Sequence, residues 1–152
     1  MKVSELHEST IVDIGHAFGY YDYGTEHGLI DAFPSREAVA SFISGYVKMA
    51  LQSGMLYATS ENGEGFIAYK FPGQKVGLKA ALPLVNGFLG AMKTKEIIRF
   101  MKIMSKGGSG LGKKFDKAKK PYLYVGLVCV REPYQGQGYM ISNAVWAGRK
   151  AK

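Results

Sequence analysis

Cysteine occurs once in these 152 residues, at position 129. No internal disulfide can form, and a fold that holds without one suits a reducing cytoplasm. Histidine occurs three times, as His7, His16 and His27. None of these has metal-ligand spacing and the lone cysteine cannot complete a set, so no metal site is expected. Long uncharged apolar runs are scarce as well. The one candidate, Ala80 to Met92, contains Pro83 and Asn86 and falls short of the ~20 residues a spanning helix needs. The opening Met1-Lys2-Val3-Ser4-Glu5 has no apolar core of a secretory signal. The expectation is a cytoplasmic, soluble protein with no membrane partner.

Acid is scarce in one place only. Lys93 to Lys120 holds ten basic residues against Glu96 and Asp116, an excess equal to the whole formal charge of +8. Elsewhere bases and acids balance, so the pI near 9.5 describes one segment. A local cationic field attracts an anionic ligand, an acidic substrate or nucleic acid; a solvated lysine loop is the plain alternative. With 47% apolar and 12% aromatic residues, the chain can bury a core, and its length fits a single domain over 1–152.

Periodicity organises most of the chain. Ile11, Ile14, Phe18 and Tyr21 share one helical face, predicting a helix over Thr10 to Asp22 with Thr10 and Asp13 as a capping box. Ser35 is an N-cap for a second helix from Arg36 to about Ser53, closed by Gly54. Met55 to Ser60 and Phe66 to Phe71 are β-prone and flank Glu61-Asn62-Gly63-Glu64-Gly65, an antiparallel hairpin. Leu78 to Met92 and Thr94 to Lys106 read as helices. Lys106 to Lys120 reads as a glycine- and lysine-rich loop. Its Gly107-to-Lys113 run has Gly-x-x-x-x-Gly-Lys spacing, but Lys114 replaces the Ser/Thr that would hold magnesium, and no strand precedes it.

The most informative stretch is residues 122 to 140. An apolar β run, Tyr122 to Val130, stops at Arg131-Glu132-Pro133. The loop Gln135-Gly136-Gln137-Gly138 then leads into a helix expected to bury Met140, Ile141, Ala144 and Val145. Strand, glycine loop and helix N-terminus together make a nest of free backbone N–H groups for phosphate oxygens. Gly136 and Gly138 supply the backbone freedom such a loop needs. The chemistry implied is pyrophosphate recognition.

This stretch resembles the cofactor segment of the GNAT N-acetyltransferase superfamily, whose loop reads Gln/Arg-x-x-Gly-x-Gly/Ala after an apolar strand. Gln135 matches the first position and Gly138 the fourth, while Met140 departs from the usual Gly or Ala. The resemblance implies an α/β (α+β) fold with a GNAT-like mixed sheet flanked by helices, ending after the cofactor-loop helix. It implies that Gln135, Gly136, Gln137, Gly138, Tyr139 and Met140 bind the pyrophosphate of acetyl-CoA as cosubstrate. Val128 and Val130 would pair with the pantetheine arm as an added strand does. The basic segment is then a candidate for the 3′-phosphate or an acidic substrate. In the family a further strand splays from the cofactor strand; without it the strand at Tyr122 to Val130 exposes an edge, which strand exchange in a homodimer would cover.

Acyl transfer to an amine needs a polarised thioester, a base and an acid. No residue here matches the family's acid, a tyrosine on a helix beyond this segment, so the catalytic residues stay unassigned. Glu132 is either a base or a surface carboxylate. Asp22, Glu26 and His27 either line an acceptor site or belong to a solvated loop. Phe18, Tyr20, Tyr21 and Tyr23 either shape an acceptor pocket or pack in the core. Cys129, in an apolar strand, fits a buried structural thiol better than a nucleophile. Three functions follow in order: an N-acetyltransferase with an amine acceptor, an inactive CoA-binding remnant, and a basic nucleic-acid binder without a recognisable reading helix.

Overall fold

The computed structural model describes residues 1–22, 24–71, 73–107, 110–120 and 122–140. Its elements run α1 (Glu8–Gly19), a 3₁₀ turn (Leu29–Ala32), α2 (Arg36–Gln52), β1 (Leu56–Ala58), β2 (Gly65–Lys70), α3 (Leu78–Ala91), α4 (Thr94–Gly107), α5 (Gly110–Lys117), β3 (Tyr124–Val130) and a 3₁₀ turn (Glu132–Tyr134). The class is α+β. The strands lie in the order β1-β2-β3, all antiparallel. The parallel pairing a mixed sheet requires does not occur among the described residues.

α2 forms where its sequence dictates. The Ser35 hydroxyl accepts from the Ala38 amide at 3.2 Å, satisfying one orphan donor of the first turn. Val39, Ile43, Val47 and Ala50 then bury one face, and Gly54 turns the chain out at φ 63°. α1 starts and stops earlier than its apolar spacing suggests. His7, not Thr10, is the cap, with Nδ1 accepting from the Ser9 amide at 3.3 Å. The helix ends at Gly19, where its backbone lies almost against that of Arg36, so close that a Cβ would meet the Arg36 carbonyl at 2.5 Å.

The hairpin is antiparallel with Leu56 opposite Ala68. A short segment absent from the sequence reading adds to its outer edge: Lys2 bridges Tyr57, and the Val3 amide donates to the Leu56 carbonyl at 2.9 Å. One sheet face carries Leu56, Phe66, Ala68, Leu127 and Cys129 into a core with Ile14, Val39 and Val47. Each large side chain fully withdrawn from water there contributes on the order of 1.5–3 kcal/mol. Ile67 and Tyr69 are buried on the opposite face, with Tyr57, Leu123 and Val128 packed against them.

Two expectations need correction. The basic segment is not a loop throughout, since α5 forms over Gly110–Lys117. Its glycines obscured the helix, whose Phe115 stacks near Tyr122 at 5.8 Å between ring centroids. The last helix begins as expected at Tyr139–Met140, but Met140 is exposed rather than buried, because it faces a cavity. Ile141, Ala144 and Val145 lie outside the described residues. No helix among those residues is long and apolar enough to cross a membrane.

Candidate functional site

Among the described residues β3 is an edge strand, and its register decides which backbone groups it offers. The Thr59 amide donates to the Gly65 carbonyl at 2.9 Å, so Gly65 faces β1. Gly65 pairs with Val130, so that pair exchanges no hydrogen bonds and Val130 presents its N–H and C=O outward. The Arg131 amide, one residue on, donates to Glu64 at 2.9 Å, as alternation requires. Cys129, opposite Phe66, therefore faces β2, and Val128, opposite Ile67, faces outward again. No described strand occupies that side. The two valines expected to grip an extended ligand have the orientation to do so.

The ladder is broken once. Ala68 pairs with Leu127 and Tyr69 with Val125, leaving Gly126 as the extra residue of a bulge. The Tyr46 ring of α2 fills the space above it: a Cβ built on Gly126 would overlap the Tyr46 hydroxyl and meet Cζ at 3.0 Å. Burial pushes that hydroxyl up to about 12, with Tyr124 adding to the effect.

Beyond β3 the chain makes its 3₁₀ turn, spending two amides: Tyr134 donates to Arg131 at 2.9 Å and Gln135 to Glu132 at 3.3 Å. Gln135 thus acts through its side chain, whose Nε2 donates to the Val130 carbonyl at 3.2 Å. Gly136 and Gly138 then adopt φ 76° and 84°, with nothing within 4 Å of where a Cβ would be. These left-handed values are steps natural to glycine and costly to other residues. The Gln137 amide closes the turn over residues 135 and 136, while the amides of Gly136, Gly138, Tyr139 and Met140 have no acceptor among the described residues. The loop keeps a run of unspent donors at the start of a helix.

That run opens on a cavity of about 510 Å³. Val128, Val130, Gln135, Gly136, Gly138, Tyr139 and Met140 line it, so seven of the eight residues read from the sequence converge. Gln137 does not line it; its Nε2 donates to the Pro133 carbonyl at 3.3 Å. The opposite wall is the end of α1, with Ala17, Phe18 and Tyr21. Ala17 was not singled out by the sequence, because α1 carries no signal of what its last turn faces.

An ion pair holds the two walls together. Arg131 Nη2 meets Asp13 Oδ2 at 2.9 Å, and Nη1 donates to the Gly63 carbonyl at 3.3 Å. The guanidinium also sits 5.5 Å from the centre of the Tyr134 ring. Glu64 anchors the neighbouring turn: its carboxylate accepts from Ser60 at 2.6 Å and Thr59 at 3.1 Å. The Ser60 bond and its own backbone amide, then Thr59 and Asn62, hold it below the usual carboxylate range despite burial.

A second cavity of about 310 Å³ lies further along β3, between α2 and the sheet, lined by Tyr46, Phe100, Gly126 and Leu127. Phe18 lines both cavities. Tyr21 keeps to the first, and neither aromatic is a buried core residue. Tyr20 donates to Glu37 at 2.9 Å, and Tyr23 lies outside the described residues.

The remaining candidates take these places. Asp22 accepts from the Gly24 amide at 2.8 Å, and His27 meets Asp31 at 3.1 Å. Neither they nor Glu26 line either cavity. Glu132 is exposed, 3.7 Å from His16 Nδ1. Cys129 touches the first cavity, but burial pushes its thiol up to about 12, against a lesser opposing pull from Arg131. It is no ready thiolate. No described residue of Lys93 to Lys120 lines the first cavity. The described residues hold no cluster of three or more metal-ligating His, Cys, Asp or Glu side chains. Comparison with models of known families, with curated proteins and with solved structures finds no match.

Proposed function

We propose that this chain is an acetyl-CoA-dependent N-acyltransferase of GNAT type, transferring an acetyl group to an amine by direct attack. One observation carries the proposal. The outward-facing backbone of Val128 and Val130 runs into a loop in which the amides of Gly136, Gly138, Tyr139 and Met140 have no acceptor among the described residues, and both open on one cavity. Its volume lies within the range of roughly 300–1,000 Å³ that holds small-molecule ligands.

In this account the loop amides and the N-terminal dipole of the following helix take the pyrophosphate. The pantetheine arm pairs along β3 and carries the thioester toward the bulge at Gly126. A neutral amine attacks the carbonyl carbon, the C–N bond forms, the C–S bond breaks, and the thiolate leaves to be protonated. The amine proton passes to solvent or a base. No described side chain is assigned as acid or base.

The test has two arms. Acetyl-CoA at about 100 times its dissociation constant stabilises by roughly 2.7 kcal/mol, equivalent to a melting-temperature rise of roughly 5–10 °C for a chain of this size. Thiol release that depends on added amine then marks transfer. Binding without such release identifies a CoA-binding protein that does no chemistry, and a folded protein indifferent to acetyl-CoA overturns the proposal.

A further inference from the structure

α3 packs one side of its surface on α2 and leaves the other side apolar. The contact is close: a Cβ on Gly87 would meet the Ser41 carbonyl at 3.0 Å, and Ala80 is buried. On the outer side Leu78, Leu82, Val85 and Leu89 expose between 47% and 91% of their surface. Their spacing of four, three and four residues puts them on one stripe, about 16 Å long at the rise of an α-helix. A helix whose outer face meets only water carries polar residues there, and a continuous exposed apolar stripe marks a contact surface.

Charge indicates what covers it. Between Gly65 and Lys95 the sequence has no Asp or Glu, while Lys70, Lys75, Lys79, Lys93 and Lys95 are present. Lys75, Lys79, Lys93 and Lys95 are exposed. α4 continues the theme, exposing Ile98 and Met101 beside Arg99. A second copy would bring these cations against themselves. An anionic lipid surface takes both components: leucines enter the acyl boundary and lysines meet the headgroups.

We propose that α3, through Leu78, Leu82, Val85 and Leu89 with the flanking lysines, docks the protein onto anionic membrane surfaces, lying in the interface rather than crossing it. The proposal is independent of acyl transfer. Co-sedimentation with phosphatidylcholine vesicles, with and without roughly 30% phosphatidylserine, tests it. The expected result is binding only to the phosphatidylserine vesicles, weakened by salt. The double variant Leu82→Ser, Leu89→Ser, which disturbs no packed side chain, is expected to bind roughly tenfold or more weakly while melting like wild type. Absence of binding to phosphatidylserine vesicles, equal binding to both vesicle types, or undiminished binding by the variant overturns it. So does a wild-type dimer that ignores vesicles and that the double variant disperses in sedimentation equilibrium, since the occupant is then a second copy.

Discussion

Adding one methyl group at Gly126 probes the geometry on which the candidate site rests. Gly126 is the bulge residue of β3, and the Tyr46 hydroxyl occupies the place a Cβ would take. Gly126→Ala must push the Tyr46 ring out of a largely buried position or shift the strand. Overpacking of this kind costs about 1–3 kcal/mol, or a melting-temperature drop of roughly 4–8 °C at ~2 kcal/mol. The Tyr46 hydroxyl has no hydrogen-bond partner among the described residues, so Tyr46→Phe alone is expected to stay within about 0.5 kcal/mol of wild type. In the Tyr46→Phe background the nearest ring atom stands at 3.0 Å, a tight contact without overlap. There Gly126→Ala is expected to cost less than ~1 kcal/mol, giving a coupling of ~1 kcal/mol or more in a double-mutant cycle. Denaturant melts of the four proteins measure it. Equal costs in both backgrounds would mean that Tyr46 does not cover the bulge, and the described path along β3 would be wrong.

Other expectations test the supports of the site. Arg131→Ala strands Asp13 and the Gly63 carbonyl and should cost about 2–3 kcal/mol, whereas Asp13→Ala, at a half-exposed carboxylate, should cost no more than ~1 kcal/mol; chemical denaturation separates them. Glu64 has a folded-state affinity for protons below its ordinary value of 4.5, so its contribution is complete above that pH and fades as the pH falls below it. Acid titration of stability should show a shallower decline for Glu64→Gln than for wild type, and parallel curves would refute the assignment. Cys129, buried with its thiol raised to about 12, should resist a thiol reagent at pH 8 in the folded protein and react at once in denaturant. Fast labelling of native protein would show that the strand is not held as described.

Legibility from sequence followed locality. α2 was readable because its cap and its apolar stripe lie within one window, and the glycine loop because left-handed steps leave glycines where they occur. The hairpin was readable from turn residues between two β-prone runs. What depends on distant partners was not. The bridge of Lys2 to Tyr57 involves too few residues to show a period. Asp13 and Arg131 are separated by 118 positions, and no local pattern joins them. Phe18 packs against the core as its spacing suggests and also lines the cavity, whereas Tyr21, with the same spacing, is turned to the cavity wall. α5 is hard to read because its glycines outweigh a short helical run whose Phe115 stacks on Tyr122. The bulge at Gly126 is invisible in a strand that otherwise reads as uniform.

The central claim is that the amides from Gly136 to Met140 and the outer edge of β3 form one binding surface for a thioester cofactor. Backbone amide resonances followed during a CoA titration test it most directly. The largest shifts are expected at Gly136, Gln137, Gly138, Tyr139 and Met140, accompanied by Val128 and Val130, with α3 and the β1–β2 turn unmoved. CoA binding that leaves those seven amides unchanged, or no binding to the folded protein, would contradict it.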